Sequence, residues 1–234
     1  MAINDLTEIF EIIDQNPELY IMFKHCPYEI LNRWEVKDYP AGNSVCQQGK
    51  KYDYLFIILQ GTAEIYFMAE NGRKYSQALS KAGDCVGDFE IFEQKNYICY
   101  VEAFTDLKLL QIQRDIFMKW LELDRNFSVH MTRALCNRFY KFAAKAGEDT
   151  LYSLKARLCS HLLNCSQQIT KKTTHIEIKV DKDELSDRFA VTPRSVNRIL
   201  QFLRDKNIIT IKENSIVVNN LDDLRDELEN SRYE

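Results

Sequence analysis

Three periodicities follow one another along the chain. Over residues 1–34 apolar positions recur at helical spacing, with Leu6, Ile9, Phe10, Ile12 and Ile13 on one face and Pro17 and Pro27 as interruptions. From Glu35 to about Arg114 the pattern shortens to strand-like runs between turn signals, at 39–45, 47–61, 62–79, 81–89, 97–104 and 107–112. Six of the seven glycines fall there, at 42, 49, 61, 72, 83 and 87, and Asn71-Gly72 is a strong hairpin signal. Short strands with turns at roughly regular spacing predict a small antiparallel barrel or jelly roll.

From Asp115 the spacing is helical again. Ile116, Phe117, Trp120 and Leu121 predict a short helix. Asp124 can cap a longer one reaching about Ala146, with apolar positions Phe127, Met131, Ala134, Leu135, Phe139, Phe142, Ala143 and Ala146. That stripe is wide enough to face both its own barrel and a partner helix. Phe127, Met131, Leu135, Phe139 and Phe142 are the candidate self-association residues; burial within one subunit is the competing reading. Gly147 is read as the helix end and Glu148-Asp149-Thr150 as a hinge. A further helix runs from Leu151 to about Gln167, and Gln168–Thr174 is a polar loop. The organisation is then 1–114, 115–147 and 148–234.

The segment Lys182–Arg204 reads as two short helices around a tight corner. Leu185, Phe189, Val196, Ile199 and Leu200 close a small core, Ser186 and Ala190 allow close approach on the first helix, and Val191 fills the corner. Thr192 can cap the second helix, with Pro193 at its first position, where a missing N–H costs nothing. Arg194, Ser195, Asn197 and Arg198 are left exposed, and all can donate to base edges or phosphates. Residues 207–218 read as strand, turn and strand, and His175–Val180 alternates upstream. Together these elements predict a winged helix-turn-helix with Lys212 near the wing tip, placed to reach a phosphate. A solvated surface hairpin is the alternative.

Composition changes the picture in two places. At 45% hydrophobic and 234 residues the chain can bury sizeable cores, and no apolar run approaches the ~20 residues of a membrane span. With no basic-then-apolar start, and seven cysteines (26, 46, 85, 99, 136, 159, 165) lacking CxxC spacing, the expected location is cytoplasmic, with reduced thiols and no membrane contact. The net charge of −4 argues against a nucleic-acid partner until it is divided. Residues 151–221 hold 12 Lys and Arg against 7 Asp and Glu, the tail 222–234 holds 2 against 6, and residues 1–150 hold 17 against 22. The basic excess is confined to the helix-turn-helix region.

Barrel, long helix, hinge and winged helix, in that order, resemble the catabolite activator protein / fumarate–nitrate regulator (CRP/FNR) superfamily. The resemblance spans about Trp34 to Val218. Its most specific parts are the glycine spacing, the string Gly83-Asp84-Cys85-Val86-Gly87-Asp88-Phe89 and TPRSVNRIL in the second helix. It implies an α+β chain: a cyclic-nucleotide-binding-like jelly roll that senses an effector, a helix that dimerises, and a winged helix-turn-helix. The implied role is a bacterial transcription regulator, an activator or a repressor, working as a homodimer with double-stranded DNA at a palindromic operator and with RNA polymerase. The DNA-contacting positions are then Thr192, Arg194, Ser195, Asn197, Arg198 and Lys212.

Carried over residue by residue, the effector site is only partly present. In cyclic-AMP-binding members a Gly-Glu-Leu turn holds phosphate and ribose; here it is Gly87-Asp88-Phe89. The Arg-Ser pair that neutralises the buried phosphate is missing from Tyr97-Ile98-Cys99-Tyr100, with no arginine nearby, and Phe142-Ala143 stands where hydroxyls should meet the adenine. Cyclic AMP is therefore rejected, and Gly87, Asp88, Phe89, Ile98, Cys99 and Phe142 suit an apolar or aromatic ligand, or none. An iron–sulfur cluster is rejected because the N-terminus has only Cys26. Haem ligation by His25 or His130 has little support, and no metal site is expected. A thiol switch at Cys46, Cys85 or Cys99 competes with their being small core residues. In the second helix Pro193-Arg194 replaces the family's usual pair ending in glutamate, so a changed operator is expected. The competing functions are a sensing module without DNA, which residues 175–218 oppose, and an enzyme, for which no nucleophile constellation, P-loop or HExxH is present.

Overall fold

The computed structural model describes residues 3–167 and 176–232, so the polar loop and His175 lie outside the described residues. Contacts divide the chain into two compact units, Met1–Phe139 and Tyr140–Glu234.

The first unit opens with α1 (Ile3–Gln15), α2 (Pro17–Phe23) and α3 (Tyr28–Leu31). The two prolines do what their missing N–H dictates. Pro17 starts α2, where Asn16 Oδ1 accepts from the Glu18 and Leu19 amides, and Pro27 precedes α3. Ile9 and Ile13 are buried, whereas Phe10 is largely exposed. Eight strands follow: β1 (Glu35–Tyr39), β2 (Ser44–Cys46), β3 (Tyr54–Gln60), β4 (Thr62–Met68), β5 (Lys74–Lys81), β6 (Cys85–Val86), β7 (Tyr100–Ala103) and β8 (Leu107–Gln113). They form two antiparallel sheets ordered β1-β8-β3-β6 and β2-β7-β4-β5, the expected jelly roll. The Asn71-Gly72 turn joins β4 to β5, with Asn71 Oδ1 accepting from the Arg73 amide. Between β6 and β7 the chain makes a helix that the strand reading missed, α4 (Asp88–Glu93).

The near-continuous apolar run of β3 has a packing cause. Leu55, Ile57 and Leu59 join a core with the helices, while Phe56 and Ile58 join a second core between the sheets. A strand covered on both faces has no polar alternation to show. Gly61, between β3 and β4, has φ +88°, and a Cβ there would collide with the Asp106 carbonyl.

Helix α5 (Arg114–Leu123) leads to Asp124 and then α6 (Arg125–Leu151). As expected, Asp124 caps α6: its Oδ1 accepts from the amides of Asn126 (2.9 Å) and Phe127 (3.1 Å). Its other oxygen accepts from Trp120 Nε1 at 3.3 Å. Phe127 stacks on Trp120 with ring centroids 3.5 Å apart, and Phe23 and Trp34 complete the cluster. Gly147 does not end α6. The helix continues four residues further, with Thr150 Oγ1 bonded to the Ala146 carbonyl, so the expected hinge 148–150 is helical; a mid-helix glycine costs only about 1 kcal/mol.

The second unit contains α7 (Leu154–Gln167), β9 (Ile176–Lys179), α8 (Lys182–Phe189), α9 (Pro193–Asp205), β10 (Ile209–Ile211), β11 (Ser215–Val218) and α10 (Leu221–Arg232). The sheet order is β10-β11-β9. Leu185, Phe189, Val196, Ile199 and Leu200 are all buried in one core with α7 and the sheet. Ala190 lies past the end of α8 in the left-handed region (φ 52°), not within the helix. The acidic tail is a docked helix: α10 packs on α7, burying Leu224, and Glu227 takes ion pairs from Lys206 (2.6 Å) and Lys155 (3.2 Å).

Phe127→Ala should lower the stability of the first unit by about 3–5 kcal/mol, the usual cost of emptying a buried aromatic site. Both tryptophans lie in that unit, so denaturant titration followed by tryptophan fluorescence reads it directly. In the second unit His161 packs edge-on against Phe189, and burial, with the Arg188 charge, pushes its pKa down to about 4. A histidine neutral in the fold but near 6.5 when unfolded stabilises fully above 6.5. The second unit should therefore lose stability as pH falls from about 6.5 to about 4, and His161→Gln should flatten that stretch of a pH–melting profile.

Candidate nucleic-acid interface and sensor turn

The helix-turn-helix is set by local hydrogen bonds. Asp181 caps α8 by accepting from the Asp183 amide at 2.7 Å. The Ala190 amide returns to the carbonyls of Ser186 and Asp187, and the Val191 amide to Ser186 at 3.0 Å, which closes the corner. Thr192 then caps α9, its Oγ1 accepting from the Ser195 amide and lying 3.0 Å from the Ser195 hydroxyl. Two residues expected to contact DNA thus direct their hydroxyls into capping.

Beyond that cap, Arg194, Ser195, Asn197, Arg198 and Gln201 line an open depression of about 470 Å³ on α9. Arg194 and Arg198 are exposed, and neither is paired with a carboxylate among the described residues. Two uncompensated guanidinium groups one helical turn apart make a positive, donor-rich surface. Gln201 was not among the expected residues, although its position seven after Arg194 places it on the same face. Lys212 stands at the start of the β10–β11 turn. It donates to Glu177 at 2.9 Å, and Ser215 donates to the same carboxylate oxygen at 2.6 Å. The Ser215 and Lys212 contacts hold the Glu177 carboxyl below its ordinary pKa. Both partners of this pair are exposed to solvent, so the pair is weak and an incoming phosphate can displace it.

In the first unit, Gly87 (φ 83°) turns the chain from β6 into α4, and a Cβ there would strike the Tyr97 hydroxyl. Asp88 follows, 1% exposed. The sequence shows no arginine near this turn, but the structure brings one from fifty residues away. Arg138 of α6 donates to Asp88 Oδ1 at 2.6 Å and to the Cys85 carbonyl at 3.0 Å, and its guanidinium lies 5.7 Å from the Phe89 ring. Burial raises the Asp88 pKa, opposed by Arg138. Asp88 Oδ2 is buried with no hydrogen-bond partner among the described residues, and the buried Tyr97 hydroxyl lies against the Cys46 thiol.

Several expected roles change here. Phe89 and Ile98 are 46% and 65% exposed, so they do not form an apolar pocket lining; Cys99 is buried and Phe142, in the second unit, is exposed. Phe127 and Met131 are 0% and 1% exposed because the Asp124 cap turns that face of α6 onto the Trp120 cluster and Cys85; they belong to the core and are not available to a partner. Leu135 is half-buried, and Phe139 and Phe142 are exposed. Burial pushes the Cys46 thiol up to about 12 and the Cys99 thiol up to about 11, and raises Cys85 as well, the opposite of an activated thiolate. Among the described residues no three His, Cys, Asp or Glu side chains cluster as metal ligands, and no helix is long and apolar enough to cross a membrane.

Comparison with known proteins divides the chain in the same sense. Residues 36–124 match the cyclic nucleotide-binding domain, and residues 156–227 match the Crp-like helix-turn-helix domain. The chain is similar to the cAMP-activated global transcriptional regulator CRP of Salmonella typhimurium, 23% identical over 87% of this chain and 94% of that protein. It is also similar to the cAMP-activated global transcriptional regulator Vfr of Pseudomonas aeruginosa, 22% identical over 81% and 92%. Among solved structures it resembles the c-di-GMP responsive global regulator CLP of Xanthomonas campestris, with a TM-score of 0.74 at 15% identity over 81% of this chain and 95% of that one. A CooA mutant from Carboxydothermus hydrogenoformans matches with a TM-score of 0.71 at 15% identity over 85% and 89%.

Arg138→Ala should leave the Asp88 carboxylate buried without its cation. Deleting one partner of a fully buried pair costs about 3–5 kcal/mol; with the Arg138 side chain 31% exposed, about 2–3 kcal/mol is expected. Adding Asp88→Asn should recover part of that loss in fluorescence-monitored denaturation. A double variant no more stable than Arg138→Ala would contradict the pairing energy.

Proposed function

The chain belongs to the CRP/FNR family of transcription regulators, and we propose from this premise that it acts as a homodimer whose α9 helices read the major groove of duplex DNA. The observation that carries the reading is the α9 face itself. It presents Arg194 and Arg198 to solvent, neither with a carboxylate partner among the described residues, and a half-buried Asn197 between them, in the region where the basic excess of the sequence is concentrated. Helix-turn-helix proteins place this part of the second helix against base edges. Arg198 suits a guanine, donating to O6 and N7, and Lys212 at the wing suits a phosphate.

Self-association runs through the outward face of α6. Leu135, Phe139 and Phe142 follow one another by four and three residues, the spacing of a coiled-coil seam. Helix-turn-helix dimers bind half-sites about one DNA turn apart, so a palindromic operator is expected of a two-fold dimer. RNA polymerase is the further partner of this reading.

The first unit serves as the sensor, but cyclic AMP does not fit it. An anionic phosphate buried at the Gly87 turn needs a counter-charge. Among the described residues Arg138 is the cation bonded to Asp88 at that turn, and the two charges neutralise each other. The Tyr97 hydroxyl meanwhile stands against Gly87. Recognition by another molecule, or regulation without one, agrees better with a turn whose charges are internally matched.

Selection of sites from a random duplex library, followed by binding titrations, tests the DNA reading. Arg198→Ala should abolish preference for the selected site while leaving weak, salt-sensitive binding. Lys212→Ala should weaken binding to all sequences alike and reduce the salt dependence by about one counterion. Equal losses of specificity in the two variants would overturn the assigned roles.

A further inference from the structure

The wing gathers several donors around one oxygen. Lys212 and Ser215 stand opposite each other across the Glu213-Asn214 turn, where the Lys212 amide donates to the Ser215 carbonyl at 2.9 Å. Strand β9 runs alongside: Ser215 is in register with Lys179, and the Val180 amide donates to the Asn214 carbonyl at 3.3 Å. Along β9, Ile176 and Ile178 are buried while Glu177 and Lys179 are exposed, as strand alternation requires. Glu177 and Lys179 therefore share their solvent face with Ser215.

On that face the Lys212 ammonium and the Ser215 hydroxyl converge. Both donate to a single oxygen, Glu177 Oε1, at 2.9 and 2.6 Å. Lys179 stands beside them, and its charge helps keep the carboxyl ionised. An ammonium, a hydroxyl and a second cation around one anionic oxygen also suit a phosphodiester oxygen. Glu213 adjoins Lys212 in the chain, yet Lys212 pairs with Glu177, 35 residues away. The sheet register, not the turn, makes this contact.

We propose that Lys212 and Ser215, flanked by Lys179, form a phosphate seat that the free protein fills with its own Glu177 carboxylate, which a DNA backbone phosphate must displace. This rests on the reading of Lys212 as a phosphate contact and adds a second donor and an internal competitor. Glu177 then tunes the affinity of the wing for duplex DNA without choosing bases, since phosphates carry no sequence information. Once displaced, the carboxylate is still tethered to β9 beside the phosphate, and like charges at short range oppose binding. Because both Lys212 and Glu177 are exposed, that opposition is modest and screened by salt.

The test uses the full chain, its selected operator, and a set of the same duplex in which one phosphate at a time is replaced by a neutral methylphosphonate. Binding is titrated for the wild type, Glu177→Gln, Lys212→Ala, Ser215→Ala and Glu213→Gln, with circular dichroism confirming that each is folded. Glu177→Gln should bind every sequence about threefold tighter at low salt, with the gain shrinking as salt rises. That gain should vanish on one modified duplex, and on the same duplex Lys212→Ala and Ser215→Ala should each lose their effect. Glu213→Gln removes an equal charge from the wing tip but leaves the seat filled, so it should gain less. Unchanged or weaker binding by Glu177→Gln would overturn the proposal, because the carboxylate would then be placing Lys212 rather than competing with a phosphate. A gain matched by Glu213→Gln, or spread evenly over all modified duplexes, would overturn it as a diffuse field effect. Lys212→Ala binding like the wild type would remove the wing contact on which the proposal rests, and a wild type that binds no duplex would remove the reading of α9 itself.

Discussion

A buried carboxylate sets the phase of the longest helix, and much of the first unit follows from it. Asp124 satisfies two free amides at the start of α6 with one oxygen and the Trp120 indole with the other. Once the first turn is placed, helical geometry assigns every later side chain. Phe127 and Met131 must face the Trp120 core. Arg138, seven residues after Met131, returns to that side and meets Asp88. Phe139 is carried round to solvent. One capping interaction therefore separates core, sensor contact and outward face along a single helix.

The contact between Arg138 and Asp88 ties that helix to the loop after β6. It joins α6 to the turn between β6 and α4, in the unit whose fold is that of cyclic nucleotide-binding domains. There the guanidinium is matched by an internal carboxylate. Fold determines where such a turn lies, and side chains determine what it binds.

In the second unit the same division of labour holds on a smaller scale. Thr192 and Ser195 direct their hydroxyls to the cap, Val196, Ile199, Leu200 and Leu203 are buried, and the residues between them are left to solvent. The third-turn amide of Gln201 is the exception, being neither cap nor core, and is oriented by a charged neighbour. Glu227, deep in the α7–α10 contact, shows why an acidic tail can follow a basic domain: two lysines hold its carboxyl below its ordinary pKa despite its burial.

What the sequence by itself determined is whatever a few neighbouring residues decide. The caps at Asp124 and Thr192, the Asn71-Gly72 turn, the strand-like run that holds β3, the alternation of β9 and the strand-turn-strand of the wing were all legible, because helix periodicity, turn chemistry and strand alternation act within about ten residues. The helical turn α4 was not, since Asp88–Glu93 is too short for its periodicity to stand out from strand. Only the tertiary structure decided that Phe127 and Met131 are core, that Gly147 continues a helix, that Phe89 and Ile98 face solvent and that Arg138 neutralises Asp88. Those outcomes depend on which surfaces the packing brings together across as many as fifty residues, and no local propensity encodes that distance.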